Sequence, residues 1–355
     1  MTLEDLGYTQ ELEAFRVQNQ LDSLDVGRVI AEHKDRYIVK TTDQEYESEL
    51  LGNLRHTAES RYDLPSVGDW VAISSYDEDK ALIHRLFPRF SVIERQAVGK
   101  RGQVQIIATN IDYGLIIQAV DRDFNLNRLE RYLTICNSSR VSPIIVLSKV
   151  DLIDNEDLEK IKDQINNRSG IINIVSVTNQ LENGYDYLIN IITRGKTYCL
   201  LGSSGVGKST LLNALSGTQK MKTGHISHSV KKGRHITSHR ELVVLDSGGI
   251  LIDNPGMREV GMSDTSEGLE MTFEKILSIS HHCKFKNCTH INEPGCAVLS
   301  AVAREELEEG AYHNFLKLEK EKNFFELNAM EKRRKDRSMG KLYKRIQQQK
   351  RDEKS

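Results

Sequence analysis

The sequence predicts a multidomain α/β protein: an all-β module, then an alternating α/β domain, then a mostly helical end. Three observations predict it. Short strands separated by polar turns fill residues 26–86. Strands then alternate with helical spacing as far as residue 252, around the run Gly202-Ser203-Ser204-Gly205-Val206-Gly207-Lys208-Ser209. Finally, Cys283, Cys288, His290 and Cys296 crowd into one short segment between helical patterns. Domain limits of 1–97, 98–262 and 263–355 follow from these changes of character.

The chain has 355 residues, enough for two or three cores, and a formal net charge of −2. That near-zero average hides asymmetry: the start is acidic (Glu4, Asp5, Glu11, Glu13), while 220–240 and the stretch from Lys332 onward are basic. No apolar run approaches the roughly 18 residues of a membrane span. The first 20 residues lack a basic n-region and an apolar h-region, so a cytoplasmic protein away from membranes is expected.

Residues 1–23 read as a short helix or an arm. Strands follow at 26–32, 37–42, 46–54, 70–74 and 81–86, with turns at 33–36, 65–69 and 76–79. Five short strands in this compass read as an OB-like β-barrel, a fold that commonly binds RNA or single strands. An Arg/Gly-rich segment at 95–102 marks the boundary. Beyond it, strands are expected at 105–110, 113–120, 142–147, 172–177, 196–201, 242–245 and 249–252, and helices at 126–136, 160–165, 185–192 and 209–215. Such alternation implies a parallel sheet with ligand loops at its C-terminal edge. Helices at 267–280, 297–309 and 315–331 precede a Lys/Arg-rich tail, for which phosphate binding is the favoured reading.

The Gly202–Ser209 run fits G-x-x-x-x-G-K-[ST] at every fixed position, and the required strand and helix flank it. Glycines let the backbone turn its N–H groups inward, so a triphosphate meets a nest of donors at a helix start. Lys208 is placed for the β- and γ-phosphates, Ser209 for Mg²⁺, and Thr210 continues the loop into the helix. Ser148-Lys149-Val150-Asp151 follows a strand and resembles the guanine-reading [NT]-K-x-D. A carboxylate at Asp151 accepts both N1–H and the exocyclic amino group of guanine, donors that adenine lacks. Lys149 can lie along the base. Ser148 stands in place of the usual Asn, whose amide would tie this loop to the phosphate loop, so a weaker tie is expected. Ser176-Val177-Thr178 fits the loop whose backbone N–H meets guanine O6.

Downstream, Asp253-Asn254-Pro255-Gly256 fits D-x-x-G, with Asp253 holding Mg²⁺ through water and Gly256 sensing the γ-phosphate. The basic loop Gly233-Arg234-His235-Ile236-Thr237 offers Thr237 as a Mg²⁺ cap. The order is permuted: the guanine loops precede the phosphate loop and the D-x-x-G loop comes last, so the chain leaves this domain close to Gly256. A γ-phosphate-dependent shift would pass directly into the C-terminal domain. Ras-like enzymes place a water-orienting Gln after that glycine. Here Met257 follows, so slow intrinsic hydrolysis is expected, with His235 the best internal substitute, His239 second, and Lys208 and Thr237 assisting.

Cys283-x₄-Cys288-x-His290-x₅-Cys296 offers three thiols and an imidazole, a full tetrahedral set for one structural Zn²⁺. His281 and His282 are less well-spaced alternatives for the imidazole. Cys136 and Cys199 lie on apolar patterns and read as core.

The barrel, the permuted motifs, Gly233-Arg234-His235, and a Cys₃His knot ending in Glu293-Pro294-Gly295-Cys296 together resemble the RsgA family of circularly permuted GTPases. The resemblance covers nearly the whole chain. It implies GTP hydrolysis with Mg²⁺, stimulated by the small (30S) ribosomal subunit, contact with 16S rRNA late in subunit maturation, and release afterwards. A monomer is expected. A different class of function is an RNA-binding nucleotide switch, acting on another RNA or on a protein without a significant catalytic role.

Overall fold

The computed structural model describes residues 1–33, 36–96, 104–121, 124–181, 183–216, 241–253 and 266–324. An N-terminal arm carries helix α1 (Gln10–Gln18). Strands β1 (Asp25–His33), β2 (Arg36–Lys40) and β3 (Glu45–Leu50) follow, then helix α2 (Gly52–Thr57), β4 (Trp70–Ser75) and β5 (Lys80–Leu86). They pair in the ring β1–β2–β3–β5–β4–β1, with only β3–β5 parallel. Closure removes free edges and encloses Val29, Tyr37, Val39, Val71, Ile73, Ala81 and Ile83, the OB-like barrel that the alternating pattern predicts.

An antiparallel hairpin, β6 (Val92–Gln96) with β7 (Val104–Thr109), leads out of the barrel. The main sheet then forms from β8 (Tyr113–Ala119), helix α3 (Leu126–Ser138), β9 (Ser142–Ser148), helix α4 (Asn155–Ser169), β10 (Ile174–Val177), helix α5 (Asp186–Ile191), β11 (Thr197–Leu201), helix α6 (Lys208–Leu215), β12 (Glu241–Val244) and β13 (Ile250–Asp253). Its order is β10-β9-β8-β11-β13-β12, parallel except for β12 at the end. Leu129, Leu133 and Ile165 from α3 and α4 pack on one face. Leu188, Leu211 and Leu215 from α5 and α6 pack on the other. With both faces covered, the strands read as continuous apolar runs, which is why the sequence announces them so plainly.

The barrel is welded to the N-terminal edge of this sheet. Arg28 of β1 is fully buried and donates to the carbonyls of Leu6 (2.6 Å), Gly68 (3.1 Å) and Asn110 (2.9 Å) and to Thr197 Oγ1 (2.9 Å). One guanidinium thus joins the arm, the barrel, the hairpin exit and the start of β11. Burial lowers its pKa to about 10, against the nearby Asp112 and Asp69 carboxylates, so it remains charged at neutral pH. A further bridge pairs Ala31 of β1 with Glu241 of β12.

The C-terminal part comprises α7 (Ser266–Thr272), α8 (Glu274–Ser280), α9 (Ala297–Ala303) and a helix over 309–324. Leu269, Phe273, Ile276, Val298, Phe315 and Leu318 form its core. It docks on α3 and α4. Gly268 lets α7 approach α3 closely: a Cβ there would lie 2.0 Å from Ser138 Oγ. Buried Glu130 of α3 meets Arg168 of α4 at 2.8 and 2.9 Å and Asn314 at 2.6 Å, while Arg131 pairs with Glu321 at 2.6 and 2.8 Å. Among the described residues no helix is long and apolar enough to cross a membrane.

Several elements differ from the sequence reading. Residues 92–96 form an unforeseen strand, and the expected strand at 105–110 pairs with it rather than joining the parallel sheet. The expected strand at 46–54 ends at Leu50, and α2 begins at Gly52. The helix foreseen at 297–309 stops at Ala303, and the next begins at 309 rather than 315.

Candidate nucleotide site and candidate metal centre

The C-terminal ends of β9, β10 and β11 deliver their loops to one cavity of about 280 Å³, which Ile117 of β8 also lines. Ser148, Lys149, Asp151 and Leu152 line it after β9; Val177, Asn179 and Gln180 after β10; Gly205, Val206, Gly207 and Thr210 after β11. Register explains the convergence, since Ser148 pairs with Val177 on one side and with Ala119 on the other.

Gly202 adopts φ +151° with its α-carbon beside β8, where a Cβ would come 2.5 Å from the Ile117 carbonyl. Gly205 and Gly207 have φ of +85° and +95°, turning the loop into the first turn of α6. The Lys208 ammonium is folded onto its own loop, donating to the carbonyls of Gly202 (2.7 Å) and Ser203. Those are weak acceptors beside phosphate oxygens, so the lysine is poised to exchange them. Ser204 and Ser209 stand exposed on the open side.

The guanine-reading loops are braced from within. Thr178 Oγ1 donates to Asp151 Oδ1, fixing one carboxylate oxygen. Lys149 takes a left-handed conformation (φ 60°) and its ammonium donates to Asp121 Oδ2 at 2.6 Å. Ser148 Oγ donates to the Val206 carbonyl at 2.7 Å, a buried bond across 58 positions. The expected weakening of the tie is therefore corrected: a hydroxyl makes the link that an amide would make. Tyr185 also lines the cavity, its phenol pKa raised by burial and by the Asp151 carboxylate.

Sequence reasoning named Thr178 within the O6 loop but not as the brace of Asp151, and it missed Asp121, Asn179, Gln180 and Tyr185. Thr178 carried a signal, being the last residue of the predicted O6 loop; Asp121 carried none. Ser176 does not line the cavity, and its hydroxyl is buried without a partner among the described residues. Asp253 closes β13, which runs beside β11, so its backbone reaches the same sheet edge. By residue type a hydroxyl and a carboxylate suit a hard cation such as Mg²⁺, and the backbones of Ser209 and Asp253 stand at this one sheet edge. His235, Thr237, His239, Gly256 and Met257 lie outside the described residues, as does the tail from 325 onward.

In the C-terminal part, one ligand atom each from Cys283, Cys288, His290 and Cys296 lies within 4.8 Å of the others. Cys283 Sγ to Cys296 Sγ is 3.9 Å, and His290 Nδ1 lies 3.6 and 3.5 Å from the two sulfurs. A tetrahedral ion with Zn–S of about 2.3 Å and Zn–N of about 2.0 Å requires roughly 3.8 Å between sulfurs and roughly 3.5 Å from sulfur to nitrogen. The donor set fits such a metal and leaves no open position. Backbone N–H groups of Ala297 (3.3 Å) and Leu299 (3.4 Å) donate to Cys283 and Cys296, and Tyr312 OH holds the His290 carbonyl at 2.7 Å. His281 and His282 stand exposed outside the cluster. Cys136 of α3 and Cys199 of β11 are buried in the core between that helix and the main sheet, as expected.

A family model described as RsgA GTPase matches residues 86–263. A model described as ABC transporter matches 189–342, and the two overlap across the phosphate loop. The small ribosomal subunit biogenesis GTPase RsgA 2 of Vibrio parahaemolyticus is 36% identical over 349 residues, covering 98% of this chain and 94% of that protein. The RsgA 2 of Listeria monocytogenes is 40% identical over 326 residues, covering 90% and 89%. Among solved structures, YjeQ from Thermotoga maritima superposes with a TM-score of 0.62 at 23% identity, covering 83% of this chain and 96% of that one. YloQ, titled a circularly permuted GTPase, superposes with a TM-score of 0.60 at 26% identity, covering 83% and 93%.

Proposed function

The chain belongs to the RsgA GTPase family, and from that premise we propose that it hydrolyses GTP to GDP and phosphate in the service of small ribosomal subunit biogenesis. The observation that carries this reading is the bracing of the guanine loops against the phosphate loop, Asp151 by Thr178 and Ser148 by Val206, around one cavity. That arrangement preorganises base and phosphate recognition together.

In the proposed cycle Asp151 reads the guanine edge and the stem of Lys149 flanks the base. The backbone of Gly202–Ser209 cradles the phosphates, and Lys208 leaves its own loop carbonyls for the β- and γ-oxygens. Ser209, Asp253 and Thr237 would hold Mg²⁺, which neutralises charge on the phosphates. Met257 has no group to orient water, so His235 is proposed for that role, and turnover is slow until the ribosomal subunit completes the site. Cys283, Cys288, His290 and Cys296 would hold one structural Zn²⁺. Contact with 16S rRNA, release on hydrolysis and action as a monomer in the cytoplasm complete the proposal, with domain limits near 97 and 262. The shift at Gly256 is proposed to reach the C-terminal domain, whose docking on α3 and α4 gives it a second line to the guanine side.

The test is GTP turnover by the full chain with and without purified small subunits, with ATP as control. Strong stimulation of GTP hydrolysis alone is expected. Equal turnover with and without subunits would overturn the coupling, and His235→Ala with unchanged stimulated turnover would remove that residue from it.

A further inference from the structure

The metal knuckle presents a surface that the nucleotide site does not use. Cys283 and Cys288 bracket the turn Lys284-Phe285-Lys286-Asn287. The Cys288 N–H donates to the Phe285 carbonyl at 3.3 Å, and the Lys284 N–H to the Gly295 carbonyl at 3.1 Å, so the turn is pinned at both ends. Phe285 is 43% exposed at its apex, whereas Phe273 and Phe315 fill the domain core. Ile291 on the adjoining loop is 64% exposed. The Lys284 ammonium lies 5.6 Å from the Phe285 ring centroid, and Lys286, His281 and His282, close by in sequence, are exposed.

The carboxylate of this knuckle is engaged by its own loop. Glu293 accepts from the backbone N–H groups of Thr289 (2.9 Å), Ile291 (3.1 Å) and Asn292 (3.2 Å) and from the Thr289 hydroxyl, so its charge is spent inside the loop. The outer face is left aromatic and cationic.

We propose that Phe285 is a base-stacking residue: the knuckle takes an unpaired nucleotide of RNA, its base against the Phe285 ring and its flanking phosphates against Lys284 and Lys286. The proposal rests on the ribosomal reading above and names the form of RNA this surface takes. One ring and one isoleucine are too small an apolar area for the buried core of a protein interface, while exposed lysines immediately before and after Phe285 in the turn supply cations for phosphates that flank a stacked base. A duplex cannot present a base face to the ring, so unpaired nucleotides are selected. Pinning the turn between two metal ligands lowers the ordering cost of binding.

The full chain, Phe285→Ala, Phe285→Trp and Lys284→Glu/Lys286→Glu are titrated by fluorescence anisotropy with a labelled uridine decamer and with a matching RNA duplex. Wild type is expected to prefer the single strand. Phe285→Ala should bind it about 5- to 100-fold more weakly, Phe285→Trp as well as wild type, and the double variant more weakly with a shallower salt dependence. Basal GTP turnover and metal content should stay unchanged, which shows that the knuckle remains folded. Unaltered decamer binding by Phe285→Ala overturns the proposal. So does loss of small-subunit binding with decamer binding intact, which would make Phe285 a protein contact. Absence of subunit-stimulated turnover in the wild type would sink the ribosomal reading instead, separately from any decamer result.

Discussion

The Ser148 hydroxyl donates to the Val206 carbonyl across 2.7 Å, joining the guanine-reading loop to the phosphate loop at a buried point. Both residues line the nucleotide cavity, so the bond fixes the distance between base and phosphate recognition. Ser148→Ala leaves a buried carbonyl without this donor, at about 1–3 kcal/mol. We expect nucleotide affinity to fall about 5- to 50-fold, with the protein still folded. Titration with a fluorescent GDP analogue checks this; unchanged affinity would show that the tie is dispensable.

Asp151 is held by the Thr178 hydroxyl, which leaves its outer oxygen directed by the loop rather than by chance rotation. Asp151→Asn replaces two acceptors with an amide that opposes the guanine donors, so GTP affinity should drop by about 100-fold or more. Xanthosine triphosphate, which carries a carbonyl where guanine carries its amino group, should gain affinity on the same variant. Thr178→Val should cost only about 5-fold, because it loosens the carboxylate without removing it. Competition between the two triphosphates measures both effects.

What could be read in advance depended on sequence separation. The Cys/His cluster was legible because its ligands lie within 14 positions and the spacing itself encodes the site. The phosphate loop was legible for the same reason. The Ser148–Val206 and Lys149–Asp121 bonds cross 58 and 28 positions, and a backbone carbonyl leaves no mark in a sequence. Residues 92–96 run Val-Ile-Glu-Arg-Gln, two apolar and then three polar side chains without alternation, and their end merges with the Arg/Gly-rich boundary at 95–102, so nothing in the pattern announces the strand that pairs with 104–109. Leu50, Leu51 and Leu54 carry the strand reading past Leu50, although the chain turns there and starts α2 at Gly52.

Among the described residues Arg28 has no ionic partner at hydrogen-bond distance; its bonds go to three carbonyls and the Thr197 hydroxyl. Arg28→Met keeps most of the volume but strips donors from the arm, the hairpin exit and β11 together. Unsatisfied buried acceptors cost about 1–3 kcal/mol each, so at least about 3 kcal/mol of stability should go. The expected signature is earlier proteolysis between barrel and sheet. A wild-type proteolysis pattern and denaturation midpoint would refute the weld.

Glu130, Arg168 and Asn314 form the buried polar contact between α3, α4 and the C-terminal part. Arg168→Met leaves the Glu130 carboxylate buried with only Asn314, a loss of about 3–5 kcal/mol on the scale of a broken buried ion pair. The double variant Arg168→Met/Glu130→Leu should recover much of this, because no unpaired charge remains. Hydrogen exchange in α7 and in 309–324 reads the docking directly; equal damage in single and double variants would contradict the pairing.

The five cysteines fall into two chemical classes, which thiol labelling should separate. Burial pushes the Cys199 thiol up to about 12 and the Cys136 thiol well above its ordinary value, so neither ionises near neutrality. Cys283 and Cys288 are partly exposed with Cys296 buried beside them, and a metal held by all three would keep label off their sulfurs. Metal-loaded protein at pH 7.5 (about one unit below the free thiol pKa) should take no label, chelated protein only those three, and denatured protein all five. The same shift has a sign for stability. With folded values above the unfolded one near 8.5, the two buried thiols favour the folded state fully below that pH. That contribution is lost as pH rises from there toward about 12, where Cys199 ionises in the folded protein. Cys199→Ala should therefore flatten part of the alkaline fall in stability, while an undiminished fall in that variant, or labelling of Cys199 in native protein, would show that the thiol is not sealed in the sheet.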